Sequence, residues 1–120
     1  MPFRFESLQI WHAARAYATQ VYALTAKFPR HEDYGLRSQL NRAVNSISMN
    51  IAEGSAKSKR SFALYLETSV GSTFEVVGSS FLALDRGYIT KEEQMVLYQE
   101  GERLAKSINA FRNTMLADSR

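Results

Sequence analysis

The sequence contains no cysteine, and it has only two prolines and six glycines among 120 residues. The lack of cysteine excludes disulfides, thiolate metal sites and a cysteine nucleophile, and it is typical of the reducing cytoplasm. The scarcity of turn-forming residues argues against a turn-rich β-sandwich. No stretch approaches the roughly 18 uncharged apolar residues that a membrane-spanning helix needs. Because Arg4 and Glu6 also place charges where a signal peptide is apolar, we expect a cytoplasmic protein with one domain, residues 1–120.

Apolar residues recur at alternating spacings of three and four along nearly the whole chain, which is typical of amphipathic helices. The pattern predicts four helices, over residues 10–28, 33–53, 59–87 and from residue 91 onward. Ser7 is the predicted N-cap of the first helix, and Thr90 with Glu93 forms a capping box before the fourth. Gly54 and Gly87 are the predicted left-handed ends of the second and third helices. The short links predict an all-α fold, an antiparallel up-down-up-down four-helix bundle.

The third helix has a predicted core stripe and a second, mixed face. The core stripe comprises Phe62, Leu66, Ser69, Val70, Thr73, Val77, Phe81 and Leu84. The second face comprises Leu64, Glu67, Gly71, Phe74, Glu75, Gly78 and Leu82. Each glycine costs roughly 1 kcal/mol against alanine inside a helix, so we expect a close backbone contact there, with another copy of the chain as the partner. The alternative is a wide core stripe with ordinary scattered apolar residues on the surface.

The second helix carries a polar stripe beside its apolar one. At ~100° per residue the stripe falls within an arc of about 80°, and it comprises Gln39, Arg42, Ser46, Asn50 and Glu53. One interpretation is a hydrogen-bonded network that fixes helix register or a subunit contact. The other is a ligand or anion site centred on Arg42, Asn50 and Glu53. A further strip has the pattern of an ordinary solvated face, and it comprises Arg37, Asn41, Asn45 and Ser48.

Positive charge is concentrated in the first half of the chain. Residues 1–60 carry nine basic and four acidic residues, a balance of +5, whereas residues 61–120 carry six and eight, a balance of −2. The densest cluster, Lys57, Lys59 and Arg60, is interleaved with serines near a helix N-terminus and predicts phosphate binding; the alternative is a solvated loop. Arg30 and Arg37 belong to the opposite end of an antiparallel bundle, so they could extend this patch only within an oligomer.

Motifs of the common helical enzymes are missing. A di-iron bundle needs Glu-x-x-His pairs, but the residues three before His12 and His31 are Gln9 and Phe28. The sequence has no phosphate-binding Gly-x-x-x-x-Gly-Lys loop, no His-Glu-x-x-His and no nucleophile elbow. We therefore expect no enzyme, no metal and no cofactor, and an enzyme acting through Arg42 and Glu53 is only a distant alternative.

Several segments of the sequence, taken together, are similar to those of a known family. They are Phe28-Pro29, Glu32-x-Tyr34-Gly35-Leu36, Gln39-Leu40-x-Arg42-Ala43 and Ser46-Ile47-x-x-Asn50-Ile51-Ala52-Glu53-Gly54. With Phe62-x-x-Tyr65-Leu66 and Gly87-Tyr88-Ile89, they resemble the 23S rRNA intervening-sequence proteins. The resemblance implies an antiparallel four-helix bundle and a ring-shaped homopentamer. It places the family signature on Gln39, Arg42, Ser46, Asn50, Glu53 and Gly54.

The same resemblance also bears on which partner the protein binds. RNA binding has been supposed for such proteins, and a related branch resembles the accessory variability proteins of diversity-generating retroelements, which bind a reverse transcriptase and have a basic surface. We therefore expect a non-enzymatic homo-oligomer that binds nucleic acid, as RNA, or a nucleoprotein partner. The candidate contacts are Arg30, Arg37, Lys57, Lys59 and Arg60. The alternative is a protein-binding assembly module in which the acidic half of one copy meets the basic half of another.

Overall fold

The computed structural model describes residues 2–118, and four long helices account for most of them. They are α1 (Gln9–Thr25), α2 (Leu36–Gly54), α3 (Lys59–Asp85) and α4 (Lys91–Ala117). A short 3-10 helix, Arg4–Ser7, precedes α1, and another, Arg30–Glu32, lies in the link between α1 and α2. No helix in this described part of the chain is long and apolar enough to cross a membrane.

The helices run antiparallel to their neighbours, as predicted. Between α2 and α3, Ser69 donates to the Ile47 carbonyl at 2.9 Å, and Gln39 donates to Ser79 at 3.4 Å. Moving forward along α3 therefore means moving backward along α2. The same reversal appears in the side-chain pairs Asn45–Tyr22 and Thr25–Asn41 for α1 and α2, and Arg112–Ala63 and Gln94–Ser80 for α3 and α4.

Each helix packs on two neighbours, α1 and α3 on both α2 and α4, and buries one stripe in the bundle. The residues with the most deeply buried large side chains include Val21 of α1, Leu40 and Ile47 of α2, and Leu97 and Ile108 of α4. These stripes confirm the three-and-four spacing that predicts the bundle.

The buried face of α3 differs from the predicted stripe. Phe62, Leu66 and Thr73 are buried as expected, but Phe81 is 45% exposed, so its assignment to the core is wrong. The reason is that α3 packs against both α2 and α4 through small residues. The buried face includes Ser69, Ser72, Ser79, Ser80, Val76 and Ala83. Small hydroxyl side chains allow the helices to approach closely and donate to carbonyls or side chains across the interface.

The helix ends follow the predicted signals in part. Ser58 accepts the Ser61 N–H and caps α3, and Thr90 with Glu93 forms the capping box of α4. Gly87 has φ of 75°, which confirms the left-handed end of α3. Ser7 is not an N-cap, because it ends the preceding 3-10 helix and its hydroxyl donates to the Arg4 carbonyl at 2.9 Å.

Gly54 has a different role from the predicted one. It is the last residue of α2 and has no positive φ. A Cβ at this position would lie 2.7 Å from atoms of both Phe62 and Tyr65. Gly54 is therefore required by the close packing of the end of α2 on α3.

The expected close backbone contact at Gly71 and Gly78 is absent within the chain. Nothing lies within 4 Å of a Cβ built on either glycine. Besides Gly54, Gly101 of α4 is closely packed, because a Cβ there would lie 2.7 Å from Tyr17 Oη and from Val77. The cost of the two glycines in α3 is thus not offset by a contact within the chain.

Candidate functional site

The predicted phosphate-binding cluster lies on the turn between α2 and α3 and on the first residues of α3. Lys57, Lys59 and Arg60 are all exposed. None of the three forms an ion pair with another residue in the range 2–118. The fold therefore holds three cations together, with their charges free to meet an anion. We call Lys57, Lys59 and Arg60 the basic turn.

Arg4 adds a fourth cation beside the basic turn, and the predicted contact set leaves it out. Its Nη1 lies 3.5 Å from the Ser55 carbonyl, and its guanidinium lies 5.3 Å over the Phe62 ring. The N-terminal 3-10 helix is thereby tied to the end of the bundle that carries the basic turn. The Phe3-Arg4-Phe5 alternation is visible in the sequence, and an antiparallel bundle places the start of the first helix at this end, but the sequence does not show that Arg4 contacts Ser55 and Phe62.

The other two predicted contacts lie at the opposite end. α2 has 19 residues, which separates its two ends by roughly 27 Å at ~1.5 Å per residue. Arg30 is exposed there. Arg37 is occupied by the protein itself, because it donates to the Thr25 carbonyl at 2.9 Å, to Asp33 at 2.6 Å and to the Phe28 carbonyl. The structure therefore brings Lys57, Lys59 and Arg60 together, and it does not bring Arg30 and Arg37 to them within one chain.

The strip predicted to be an ordinary solvated face lies at the contact between α1 and α2. Asn41 accepts a hydrogen bond from Thr25 at 2.8 Å, and Asn45 donates to the Tyr22 hydroxyl at 2.7 Å. Arg37 and Ser48 are likewise half-buried. That prediction is wrong because these polar side chains satisfy one another across two helices, which a pattern of polarity alone does not reveal.

Some side chains in the polar stripe of α2 form hydrogen bonds within the bundle, and others do not. Asn50 donates to the Ser46 carbonyl at 2.8 Å and to its hydroxyl at 3.0 Å. Ser72 of α3 donates to the same Ser46 hydroxyl at 2.9 Å, and Gln39 reaches Ser79 of α3. These contacts tie α2 to α3 and support the structural interpretation for this part of the stripe.

The two charged members of the stripe stand apart. Glu53 accepts a hydrogen bond from the Tyr65 hydroxyl at 3.0 Å, and this bond raises the pKa of Tyr65. Arg42 is exposed and has no ion pair in the described range. Eleven positions separate the two residues on one helix, which is roughly 16 Å along its axis. Arg42 and Glu53 therefore do not pair with each other, although both lie on the same surface of α2.

A shallow groove of about 630 Å³ runs along the outer surface of α2. Its lining includes Arg42, Asn50 and Glu53, the three residues of the predicted ligand site, together with Tyr22 and Asn45. It is open to solvent and rich in amides. No group of three or more His, Asp or Glu side chains within residues 2–118 could hold a metal ion.

The second face of α3 is exposed. Leu64 is 61% exposed, Phe74 69% and Leu82 42%, and Gly71 and Gly78 leave open space between them. We call this set, with Glu75, the α3 face. Beside it lies a groove of about 440 Å³ between α3 and α4, whose lining includes Phe74, Tyr98, Glu102 and Lys106.

Two comparisons with known proteins address the family and the fold. The family model described as 23S rRNA-intervening sequence protein matches residues 6–110. The chain belongs to the 23S rRNA intervening-sequence protein family. A crystal structure of a protein with unknown function from the S23 ribosomal protein family of Bacteroides thetaiotaomicron superposes with a TM-score of 0.78 at 18% identity. The similarity covers 86% of this chain and 97% of that one. Among curated proteins, none matches the chain.

Family membership confirms the resemblance on which the sequence interpretation depends, and the superposition supports the bundle fold. The matched range of this 23S rRNA intervening-sequence protein begins after Phe3 and Arg4 and includes the basic turn, the polar stripe of α2 and the whole α3 face.

Proposed function

We propose that this protein is a non-enzymatic, self-assembling helical module that binds RNA phosphates through the basic turn. The observation that carries the proposal is the placement of Lys57, Lys59 and Arg60, which are exposed, adjacent and unpaired at one end of the bundle. Charges held together without acidic partners attract a polyanion, and their counterions are released when phosphates bind.

Self-assembly is supported by the α3 face. Its apolar side chains are 42–69% exposed and do not belong to the buried core, and its glycines have no neighbour within 4 Å of a built Cβ. Apolar side chains clustered on one helix face, with helix-weakening glycines between them, are typical of a surface that packs on another protein. Most oligomers of this kind are assembled from identical chains. A ring of five follows from the family resemblance.

Assembly and RNA binding reinforce each other in this proposal. A ring repeats the basic turn once per subunit, and linked sites bind one long strand far more tightly than a single site does. Arg30 lies at the opposite end of its own subunit, but in an assembly it could face RNA held by a neighbouring subunit. We propose cytoplasmic RNA, or a ribonucleoprotein particle, as the partner.

The RNA proposal is tested by filter binding or fluorescence anisotropy at several salt concentrations. Wild-type binding should weaken steeply with salt, and changing Lys57, Lys59 and Arg60 together to glutamine should lower the slope of log K against log salt by about 2, at roughly 0.7 per phosphate contact on a single strand. The charge-matched control changes Lys27, Lys91 and Arg103 to glutamine. Binding that is insensitive to salt, or equal loss in both triple variants, would contradict the proposal.

The assembly proposal is tested by native mass from light scattering. Phe74→Asp should reduce the mass of the wild-type assembly toward that of one chain, because it places a carboxylate in the middle of the α3 face. Tyr34→Asp is the control, since Tyr34 is fully exposed outside that face. A wild-type protein that is monomeric at all concentrations would refute self-assembly.

The alternative is an assembly module without nucleic-acid contact. It is favoured by Glu75, an exposed carboxylate on the α3 face without an ion pair in the described range, which could meet a basic surface of another copy. Glu67 is a less direct probe, because Arg112 binds it at 3.1 Å within the same chain. Dissociation of the assembly by Glu75→Lys, together with no salt-dependent RNA binding by the wild type, would select this alternative.

A further inference from the structure

The N-terminal 3-10 helix presents an aromatic stack at the same end of the bundle as the basic turn. Phe3 lies against Phe5 with ring centroids 5.6 Å apart and an interplanar angle of 26°. Phe5 in turn packs against Trp11 of α1 at 4.6 Å. The contacts of Arg4 with Ser55 and Phe62 hold this segment beside the turn, because those two residues flank Lys57, Lys59 and Arg60 in the chain.

Phe3 is fixed but it is not part of the core. The side chain is 61% exposed. Its backbone N–H donates to Glu6 at 3.2 Å, and its ring rests on Phe5 on one side. An exposed phenylalanine usually has an apolar neighbour to cover it or rotates freely in solvent. Here the ring is supported from behind and its outer side faces water.

Positive charge outnumbers negative charge at this end, where Arg4 stands beside the three cations of the basic turn. Glu6 accepts the Phe3 N–H and Glu53 accepts the Tyr65 hydroxyl, so both carboxylates are held by hydrogen bonds within the chain. The local surface therefore combines an aromatic ring with four cations. Proteins that bind single strands combine these two features, because the cations hold phosphates while the rings stack on bases.

We propose that Phe3 is a stacking platform for an unpaired base of single-stranded RNA, with the flanking phosphates held by the basic turn. This inference rests on the RNA binding proposed above and specifies the ligand as unpaired strand. In a duplex the base faces are stacked on one another and unavailable, so duplex RNA would reach only the cations. An acidic protein segment would likewise use the cations and gain nothing from the aromatic ring.

The test measures binding of a labelled decauridine RNA and of a ten-base-pair RNA duplex to the full chain, purified with a C-terminal tag so that the N-terminus stays free. The wild type should bind the single strand more tightly. Phe3→Ala should weaken single-strand binding about five- to tenfold, the lower part of the range for loss of one stacked base. Its slope of log K against log salt should be unchanged, because no phosphate contact is lost. Duplex binding should also be unchanged.

Three controls separate stacking from other effects. Phe3→Tyr keeps an aromatic face and should retain wild-type binding. Phe3→Leu keeps an apolar side chain without one and should resemble Phe3→Ala. Tyr34→Ala removes a fully exposed ring from the opposite end of α2 and should have no effect. Native mass and circular dichroism spectra should be the same for the wild type and all four variants.

The outcomes distinguish this inference from the proposal beneath it. If Phe3→Ala binds the single strand as the wild type does, or if wild-type affinity for the duplex equals that for the single strand, stacking is wrong and phosphate binding by the basic turn stands. If neither RNA binds the wild type, both fail. Competition by polyglutamate as effective as that by decauridine would identify an acidic segment as the ligand and would also overturn stacking.

Discussion

The two ends of the bundle use the same types of residue in opposite ways. At the end that carries the α1–α2 and α3–α4 links, Glu32 binds the Leu36 N–H at 2.8 Å, the Tyr88 hydroxyl at 2.8 Å and Arg86 at 3.1 Å. Arg37 and Asp33 are paired at the same end. At the end with the basic turn, Lys57, Lys59 and Arg60 are exposed and unpaired. A charged residue such as Arg37 thus stabilises the fold, whereas one such as Arg60 remains available, and charge in the sequence does not distinguish these cases.

The largest difference in unfolding free energy is expected between two single variants, each of which removes an arginine from one end of the bundle. Arg37→Ala should lower the free energy of unfolding by about 2–3 kcal/mol, because half-buried carbonyls of Thr25 and Phe28 lose a charged donor. Arg60→Ala should change it by no more than about 0.5 kcal/mol, as is usual for a surface substitution without a partner. Urea denaturation at one protein concentration measures both values.

Arg37→Lys sharpens the same comparison. Lysine retains the charge but cannot reproduce the several directed donors of the guanidinium, so its stability should lie between those of Arg37→Ala and the wild type. Equal stabilities for Arg37→Ala and Arg60→Ala would show that the two ends do not differ as the hydrogen bonds indicate.

A smaller change in unfolding free energy is expected when glycines are replaced by alanine. Its sign should differ between Gly54 at the end of α2 and Gly71 in the middle of α3. Gly54→Ala should destabilise the protein by about 1–3 kcal/mol, because the added Cβ would overlap Phe62 and Tyr65. Gly71→Ala should stabilise a single chain by up to roughly 1 kcal/mol, since it removes a helix-weakening residue and meets no atom within 4 Å. If the α3 face packs on another copy, the same change should also reduce the native mass.

The unfolding free energy and the native mass of Gly71→Ala are independent measurements. Denaturation at low protein concentration reports the stability of one subunit, and light scattering at high concentration reports the assembly. A destabilising Gly71→Ala with unchanged native mass would contradict both the open space around this glycine and its role in a subunit contact.

The sequence predicts the helices well and the use of polar residues poorly. Periodicity reveals the bundle because burial of one stripe is the same physical requirement in every helix. It misassigns Asn41 and Asn45, because a polar side chain that bonds across two helices has the same pattern as one that faces water. It also misses the packing role of Gly54, since a close approach depends on which residues lie opposite, here Phe62 and Tyr65.

The candidate site likewise has features that the sequence predicts and features that it does not. The clustering of Lys57, Lys59 and Arg60 follows from their proximity in sequence, so it could be predicted. The presence of Arg4 and Phe3 at the same end depends on the path of the chain before α1. The positions to which the resemblance assigns the family signature include Gln39 and Ser46, whose hydrogen bonds connect α2 to α3, and identity of residues alone does not separate that structural role from ligand binding.

The smallest expected effect is confined to acid pH and concerns Glu32. Hydrogen bonds from the Leu36 N–H and the Tyr88 hydroxyl, and then the positive charge of Arg86, hold the pKa of Glu32 below its ordinary value of about 4.5. A carboxyl whose pKa is lower in the folded state than in the unfolded state stabilises the fold. This stabilisation is complete at pH values above the unfolded-state pKa, and it is lost as the pH falls through the folded-state pKa. The stability gap between the wild type and Glu32→Gln should therefore be constant above about pH 5.5 and should shrink below pH 4.5.

The gap is measured by urea denaturation at a series of pH values, with Glu92→Gln as the control for general loss of one negative charge. Glu92 is exposed near the start of α4, outside the α3 face, and has no ion pair in the part of the chain that the structure describes. Its variant should stay close to the wild type through the same acid range. A Glu32→Gln gap that is the same at pH 7 and pH 3, or that widens in acid, would mean that the ionised carboxylate does not connect the two links. The contrast between a structural end and an available end would then depend on Arg37 alone.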